Sequence, residues 1–194
     1  MTPLAMRFRT ILLAGALAAL CAAAAMAQTS GAAPPEPADY RMDQFRAPVP
    51  ATLAGGKVVE TEEARRVWET KGAVFIDVLP HAPKPANLPA DTVWREKARR
   101  DIPGSIWLPD TGYGALAAAT LAYFERGLAR ASAGDKARPL LFYCLADCWQ
   151  SWNAAKRALS LGYRNVIWYP QGSDGWEDAG FALENRSPEP RDRD

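Results

Sequence analysis

The stretch Leu140-Leu-Phe-Tyr-Cys144-Leu-Ala-Asp-Cys148-Trp-Gln-Ser-Trp152 indicates both the fold and the most reactive side chain of this sequence. An apolar run of four residues ends at Cys144, a short loop carries Cys148, and a helical pattern begins near Ser151. The order strand, loop, helix places the thiol of Cys144 at the mouth of the turn. Backbone N–H groups and the helix dipole favour negative charge there, so a thiolate is stabilised. We therefore expect Cys144 to act as a nucleophile.

The first 27 residues have the pattern of a secretory signal peptide. Arg7 and Arg9 precede an apolar run over residues 11–25, and Ala25-Met-Ala27 is a small-x-small cleavage signal. The apolar run is short and no stop-transfer pattern follows it, so we expect no stable membrane anchor after cleavage. Lipid attachment at Cys21 is a weaker alternative, because Leu20 stands where a small residue is needed.

Cleavage after residue 27 simplifies both the charge and the cysteine content of the chain. It leaves 21 basic and 22 acidic residues, so electrostatics give no reason to expect nucleic acid or an anionic membrane as a partner. Only Cys144 and Cys148 remain, and such a pair in an exported protein can be a disulfide, a redox pair or part of a metal site. A purely structural disulfide is a weaker interpretation, because closing so short a loop removes little unfolded-state entropy.

The pattern between the two ends predicts one domain, at residues 51–184. Residues 28–50 are rich in Pro and Ala and are predicted to be a flexible leader, and residues 185–194 a disordered tail. Predicted strands lie at 57–59, 73–78, 102–108, 140–143 and 166–169, and predicted helices at 61–69, 115–131, 151–161 and after Trp176. This alternation predicts an α/β fold with a central, mainly parallel five-stranded sheet flanked by helices on both faces.

Two features of this fold point to the same edge of the sheet. Ligands of parallel sheets bind beyond the carboxyl ends of the strands, where Asp77 and Cys144 are both predicted to lie. The segment 79–100 contains four prolines and little periodicity, which is typical of an active-site wall or a mobile cover.

Four motifs in order resemble the rhodanese-like domain over about residues 55–183. They are Phe75-Ile-Asp-Val78, Asp101-Ile-Pro-Gly-Ser105, Leu141-Phe-Tyr-Cys144, and Gly162-Tyr-Arg-Asn-Val166 followed by Gly172 and Gly175-Trp176. The resemblance implies a rhodanese-like fold and sulfurtransferase chemistry with Cys144 as the nucleophile.

A narrower likeness is to the exported PQQ-dependent catabolism-associated CXXCW motif proteins. Cys144-Leu-Ala-Asp-Cys148-Trp149 and Trp168-Tyr-Pro170 carry it, with three residues between the cysteines here. It implies a periplasmic location and an accessory role in alcohol catabolism by quinoprotein dehydrogenases, with such a dehydrogenase or a cytochrome as candidate partner.

The loop departs from the family in its charge. Rhodanese loops usually hold polar, often arginine-containing residues that steady a thiosulfate or persulfide anion, whereas residues 145–150 contain no basic residue and Asp147 adds a negative charge. Leu79 also stands where an arginine commonly follows the Asp-Val pair. These departures disfavour thiosulfate as the donor.

The candidate site residues follow from the loop and its surroundings. Cys144 would attack a sulfane-sulfur donor or a disulfide, and Cys148 would resolve the adduct. Asp77 is a candidate hydrogen-bond acceptor or strand cap, and Asp147 a general acid or base, a partner for an indole N–H, or a solvated residue. Candidate binding residues are Leu145, Ala146, Trp149, Gln150, Ser151 and Trp152, of which Trp149 suggests a partner or an occluded pocket.

Two further functions stay open at this point. One is a non-catalytic or thiol-redox binding module for a periplasmic protein partner. The other is a copper chaperone in which Cys144, Cys148 and His81 bind Cu(I), since thiolates suit that ion. We otherwise expect no cofactor, and either a small sulfur-containing substrate or a thiol or disulfide protein as the partner.

Overall fold

The computed structural model describes residues 33–82, 85–89, 91–93 and 98–191. The predicted signal peptide, the first part of the predicted leader (28–32) and the last three residues of the tail lie outside these residues. The elements in chain order are β1 (Lys57–Val58), α1 (Thr61–Glu69), β2 (Val74–Asp77), β3 (Arg99–Asp101), β4 (Ile106–Trp107), α2 (Ala118–Ser132), β5 (Leu140–Tyr143), α3 (Trp149–Ser160), β6 (Val166–Trp168), α4 (Gly172–Asp178) and β7 (Glu184–Arg186).

The central sheet has five strands in the order β1-β6-β5-β2-β4, and each neighbouring pair is parallel. This arrangement confirms the predicted fold class. Asp77 pairs with Tyr143 in β5 and with Trp107 in β4, so the carboxyl ends of the three strands meet at one edge. None of the helices in the described part of the chain is long and apolar enough to cross a membrane.

The core lies in two layers, one on each face of the sheet. Leu140, Phe142 and Cys144 belong to the layer that contains α2 and α3, whereas Leu141 and Tyr143 face the layer that contains α1 and α4. All four residues of β5 are buried, which explains why its sequence is continuously apolar rather than alternating. The side chain of Cys144 is therefore held on the α3 face.

A second, two-stranded sheet lies outside the sequence prediction. β3 and β7 pair antiparallel, with Arg99 opposite Arg186 and Asp101 opposite Glu184. Charged residues dominate both strands, so no apolar periodicity marks them. Part of the predicted disordered tail is ordered in the structure. It pairs in β7 and is held to the domain by polar contacts of Glu189 and Arg191, which leave no apolar pattern in the sequence.

The second part of the predicted flexible leader is also bound to the domain. Residues 41–52, here called the strap, cross the cysteine loop and the start of α3. Phe45, Ala47 and Val49 alternate along the strap and pack on the core layer of α3. Prolines and alanines gave this segment the composition of a linker, but three alternate apolar side chains are enough to attach it.

A buried polar cluster connects the small sheet to the central one. Arg99 donates from Nε to Asp77 at 2.5 Å, and the same nitrogen lies 3.1 Å from Oδ1 of Asp101. Asp77 and Asp101 are fully buried, and no donor among the described residues reaches either carboxyl oxygen of Asp101 with hydrogen-bond geometry. Burial is the main cause that raises the pKa of Asp101 to about 9, and a hydrogen bond to the Asp77 carboxylate adds to it, against the opposing effects of Arg99 and Arg186. A protonated Asp101 can donate to Asp77.

We predict that Asp101→Asn flattens the dependence of stability on pH. The folded protein binds the Asp101 proton more tightly than the unfolded chain, whose pKa is near 3.8, so the wild type loses stability as the pH rises from about 4 to about 9. The asparagine of the variant does not titrate, so this contribution to the pH dependence of its stability is absent. Urea unfolding near pH 5 and near pH 8 measures the free energy of unfolding of both proteins. The value for the wild type minus the value for the variant should fall as the pH rises, by up to about 1.4 kcal/mol per pH unit.

The matched control for this measurement is Asp91→Asn, which removes an exposed carboxylate. It should leave the pH profile of stability unchanged. Parallel profiles for the wild type and Asp101→Asn would show that Asp101 is ionised in the folded protein at neutral pH.

Candidate functional site

The two cysteines lie at the junction between β5 and α3. Cys144 directly follows β5, and Cys148 is the N-cap residue of α3. A disulfide joins their sulfurs across a Cα–Cα distance of 6.4 Å. Cys144 is 0% exposed and Cys148 is 1% exposed. The pair is thus oxidised and enclosed in this structure.

The loop between the cysteines presents its main chain to the strap. Asp147 is exposed and has φ +49°, in the left-handed region that Asp and Asn tolerate better than most residues. Its carbonyl accepts a hydrogen bond from the N–H of Ala47 at 3.1 Å, and the N–H of Trp149 donates to the carbonyl of Phe45 at 2.9 Å. These two bonds flank the isolated antiparallel bridge between Arg46 and Cys148.

The two tryptophans that begin α3 are buried and directed at the strap. The indole N–H of Trp149 donates to the carbonyl of Pro48, and that of Trp152 donates to the carbonyl of Thr52, both at 3.1 Å. Their rings pack edge to face with centroids 5.5 Å apart. Since both indole donors are used inside the chain, these predicted binding residues hold the strap in the structure.

Gln150 and Ser151 both contact Cys148. The side-chain oxygen of Gln150 lies 3.5 Å from the sulfur of Cys148. The hydroxyl of Ser151 donates to the carbonyl of Cys148 and accepts the indole N–H of Trp168, each at 3.0 Å. Both residues are buried, so the first turn of α3 forms a rigid support for the second cysteine.

The opposite side of the loop contacts α4. The backbone N–H of Ser173 donates to the carbonyl of Cys144 at 2.9 Å, and its hydroxyl donates to the same oxygen at 3.2 Å. Gly172 has φ +56°, and a Cβ there would lie 2.4 Å from that oxygen, so this close approach requires glycine. The N–H of Ala146 donates to the carboxylate of Asp174 at 3.1 Å. The carboxylate therefore occupies one of the loop amides that an anionic substrate would use.

A cleft of about 320 Å³ opens beside this side of the loop. Leu145, a predicted binding residue, is part of its lining, together with Arg99, Arg100, Trp107, Ser173 and Asp174. Arg99 donates to the hydroxyl of Ser173 at 3.0 Å, and that hydroxyl donates to the carbonyl of Cys144. Ser173 therefore links Arg99 to the base of the cysteine loop. The loop lacks a basic residue of its own, but the segment before β4 brings one to its edge.

Asp77 is bonded to Arg99, a residue that lines this cleft. It accepts the N–H of Leu79 at 2.7 Å in addition to the Nε of Arg99. Sequence reasoning did not find Arg99, Ser173 or Asp174, because their roles depend on contacts between distant segments. The available signal was the charged Arg-Arg-Asp sequence just before Ile102-Pro-Gly.

The structure does not bring His81 and the cysteines together as ligands. The backbone N–H of His81 donates to the carboxylate of Asp110, and its ring lies against Trp107 with centroids 5.0 Å apart. Across residues 33–82, 85–89, 91–93 and 98–191, no group of three or more His, Cys, Asp or Glu side chains is arranged to hold a metal ion.

Comparison with known proteins finds one family model and several solved structures. The model for the rhodanese-like domain matches residues 61–179. The polysulfide-sulfur transferase homodimer from Wolinella succinogenes is 18% identical, with 69% of this chain and 82% of that chain covered and a TM-score of 0.42. The rhodanese-like domain of a protein from Anabaena sp. is 18% identical, with 70% and 86% covered and a TM-score of 0.42. An uncharacterized protein from Saccharomyces cerevisiae is 25% identical, with 64% and 92% covered and a TM-score of 0.40.

A search of curated proteins gives no match. The family model, by contrast, begins at the first residue of α1 and ends just after α4, so it includes the cysteine loop and both helices that enclose it. Because this match covers more than half of the sequence, the chain belongs to the family of rhodanese-like domains.

Proposed function

We propose that this chain performs thiol-based sulfur chemistry at Cys144 and Cys148, as a sulfurtransferase or a thiol–disulfide enzyme of the periplasm. The observation that supports this proposal most directly is the disulfide between the end of β5 and the start of α3 in a rhodanese-like domain. A disulfide of this kind is one state of a two-electron couple, and its reduced state supplies two thiols at the same place.

The proposed reaction begins with the reduced protein. The thiolate of Cys144 attacks the sulfane sulfur of a donor, a sulfur–sulfur bond forms, and the rest of the donor leaves with the electron pair of the broken bond. The thiolate of Cys148 then attacks the Cys144 sulfur of the persulfide, which closes the disulfide and releases hydrosulfide. A thiol partner returns the two electrons and becomes a disulfide itself. The N-cap position of Cys148 suits it to this role, because the dipole of α3 favours its thiolate.

The charges around the loop bear on the identity of the donor. No basic side chain lies in residues 145–150, and the carboxylate of Asp174 already accepts the N–H of Ala146. A small anion such as thiosulfate would meet this carboxylate at the loop. An organic persulfide, whose sulfur chain carries at most one negative charge, or the uncharged disulfide of a protein partner fits these surroundings better.

The enclosure of the sulfurs supports a second candidate function. Both cysteines are almost completely buried, and the tryptophans beside them are bonded to the strap. A thiol-redox binding module would use the same disulfide as a switch and would transfer no sulfur.

The location and pathway are part of the same proposal. The pattern of residues 1–27 supports export, and the CxxxCW sequence at Cys144 to Trp149 supports a role beside periplasmic quinoprotein dehydrogenases or their cytochromes.

We predict that Cys148→Ser traps the persulfide. Without the resolving thiol, incubation of the reduced variant with a polysulfide should leave a protein that carries the mass of one additional sulfur atom. Serine is a good N-cap residue, so α3 should still begin at the same place. Intact-mass spectrometry before and after treatment with a reductant provides the measurement.

The control for this experiment is Cys144→Ser, which should gain no sulfur under the same conditions. Retention of sulfur by Cys144→Ser would reverse the roles of the two cysteines. A Cys148→Ser variant that gains no sulfur, in a protein whose wild type still cycles between dithiol and disulfide, would favour the redox-module function.

We predict that the mature protein is periplasmic and begins at Gln28. Cell fractionation followed by intact-mass measurement should show a chain that lacks residues 1–27. Ala27→Arg should block this processing, because the cleavage site requires a small residue. A full-length wild-type chain in the cytoplasmic fraction would contradict export.

We predict that loss of the gene slows growth on an alcohol that a quinoprotein dehydrogenase oxidises. Growth on a carbon source that bypasses this enzyme should be unchanged. The wild-type gene should restore growth, and Cys144→Ser should not. Full restoration of growth by Cys144→Ser would show that the growth defect does not depend on the thiol of Cys144.

A further inference from the structure

The strap is hydrogen-bonded to the loop that carries the disulfide. It lies N-terminal to the region that the family model matches, yet it bonds to the cysteine loop and to α3 at several points. Phe45, Ala47 and Val49 pack on the core layer that contains both cysteines. The strap is therefore a segment outside the matched region that packs on the layer containing the two sulfurs.

The first part of the strap is fixed to α3 by a reciprocal pair of hydrogen bonds. The N–H of Arg41 donates to the side-chain oxygen of Asn153, and the amide of Asn153 donates to the carbonyl of Arg41, each at 2.9 Å. The guanidinium of Arg41 lies 5.2 Å from the ring centroid of Trp149. This end holds the strap in register with the loop.

The middle of the strap bonds to the cysteine loop through its main chain. Phe45 accepts from Trp149 and Ala47 donates to Asp147, as in a short antiparallel pairing. The side chain of Arg46 is half exposed and lies 3.8 Å from the carboxylate of Asp174. The strap thus spans the loop from α3 to α4.

The strap can leave without disrupting the central sheet. Among the described residues it contributes no strand to the order β1-β6-β5-β2-β4, and its only ladder contact with them is an isolated bridge. Phe45, Ala47 and Val49 are half-buried at the rim of the core, and Pro50 is the buried residue of the strap. Segments with few fully buried contacts open locally, at a lower free energy than global unfolding.

We propose that the strap is an autoinhibitory cover of the disulfide, and that Cys144 and Cys148 exchange with an external thiol only after the strap has detached from a domain that stays folded. The inference rests on the proposed function in one respect, namely that these cysteines react with an outside thiol. Detachment exposes the sulfurs, and closure returns them to the buried state of this structure.

The test measures how fast dithiothreitol reduces the disulfide of the full chain. Dithiothreitol supplies the two electrons and is oxidised to its own cyclic disulfide. Alkylation and mass spectrometry count the thiols that appear with time. The rate is measured at several urea concentrations below the unfolding transition, beside the urea dependence of global stability.

The variants weaken the strap at one contact each. Ala47→Pro removes the backbone N–H that donates to the carbonyl of Asp147. Phe45→Ala removes a half-buried ring that also packs against Tyr113, with ring centroids 5.2 Å apart. Each should accelerate reduction about five- to tenfold, as the loss of one such contact predicts. Met42→Ala is the matched control in the strap, because Met42 is 62% exposed, and it should change the rate by less than about twofold.

The urea dependence separates local from global opening. A detaching strap exposes little surface, so the rate of reduction should rise with urea much less steeply than global unfolding does. A slope equal to that of global unfolding would overturn the proposal, and so would reduction rates that are the same in the wild type, Ala47→Pro and Phe45→Ala. Failure of the proposed sulfur chemistry would appear instead as the absence of trapped sulfur in Cys148→Ser and would leave these rates unaffected.

Discussion

Burial of β5 on both faces fixes the place where thiol chemistry can occur. The strand is paired with β2 on one side and β6 on the other, and helices cover both of its faces. Its end is therefore a rigid point, and Cys144 is the first residue beyond it. α3 begins five residues later, so the position of Cys148, its N-cap residue, is fixed by the helix. Two thiols held in this way are within the Cα separation that a disulfide requires.

The polar cluster around Arg99 has a different origin from the apolar core. It joins a charged two-stranded sheet to the edge of a buried parallel one, through an arginine between two carboxyl groups. Burying such groups is costly unless they are paired, and a proton on Asp101 reduces the cost by removing one of the two negative charges. The same arginine reaches Ser173, which holds the carbonyl of Cys144. The cluster therefore positions the base of the cysteine loop as well as connecting the sheets.

The central sheet could be predicted from the sequence because its strands are buried and apolar. The runs at Val74–Asp77 and Leu140–Tyr143 carry this signal clearly. β3 and β7 carry charges where a strand pattern would show apolar residues, so their pairing appears only when the chain is folded. The predicted site is centred on the loop of Cys144 and Cys148, and Arg99 and Asp174 reach that loop through contacts between distant segments. The strap was concealed by its composition, since Pro and Ala indicate a linker unless the alternation of Phe45, Ala47 and Val49 is given weight.

The position of the strap in the sequence has a consequence for the order in which the protein assembles. The strap is synthesised about a hundred residues before the tryptophans to which it bonds, as the separations of 101 and 100 residues show. Contacts so distant along the chain form late in folding, because a long loop must close first. The strap is therefore expected to dock on the cysteine loop after the nearer contact between β5 and α3 has formed.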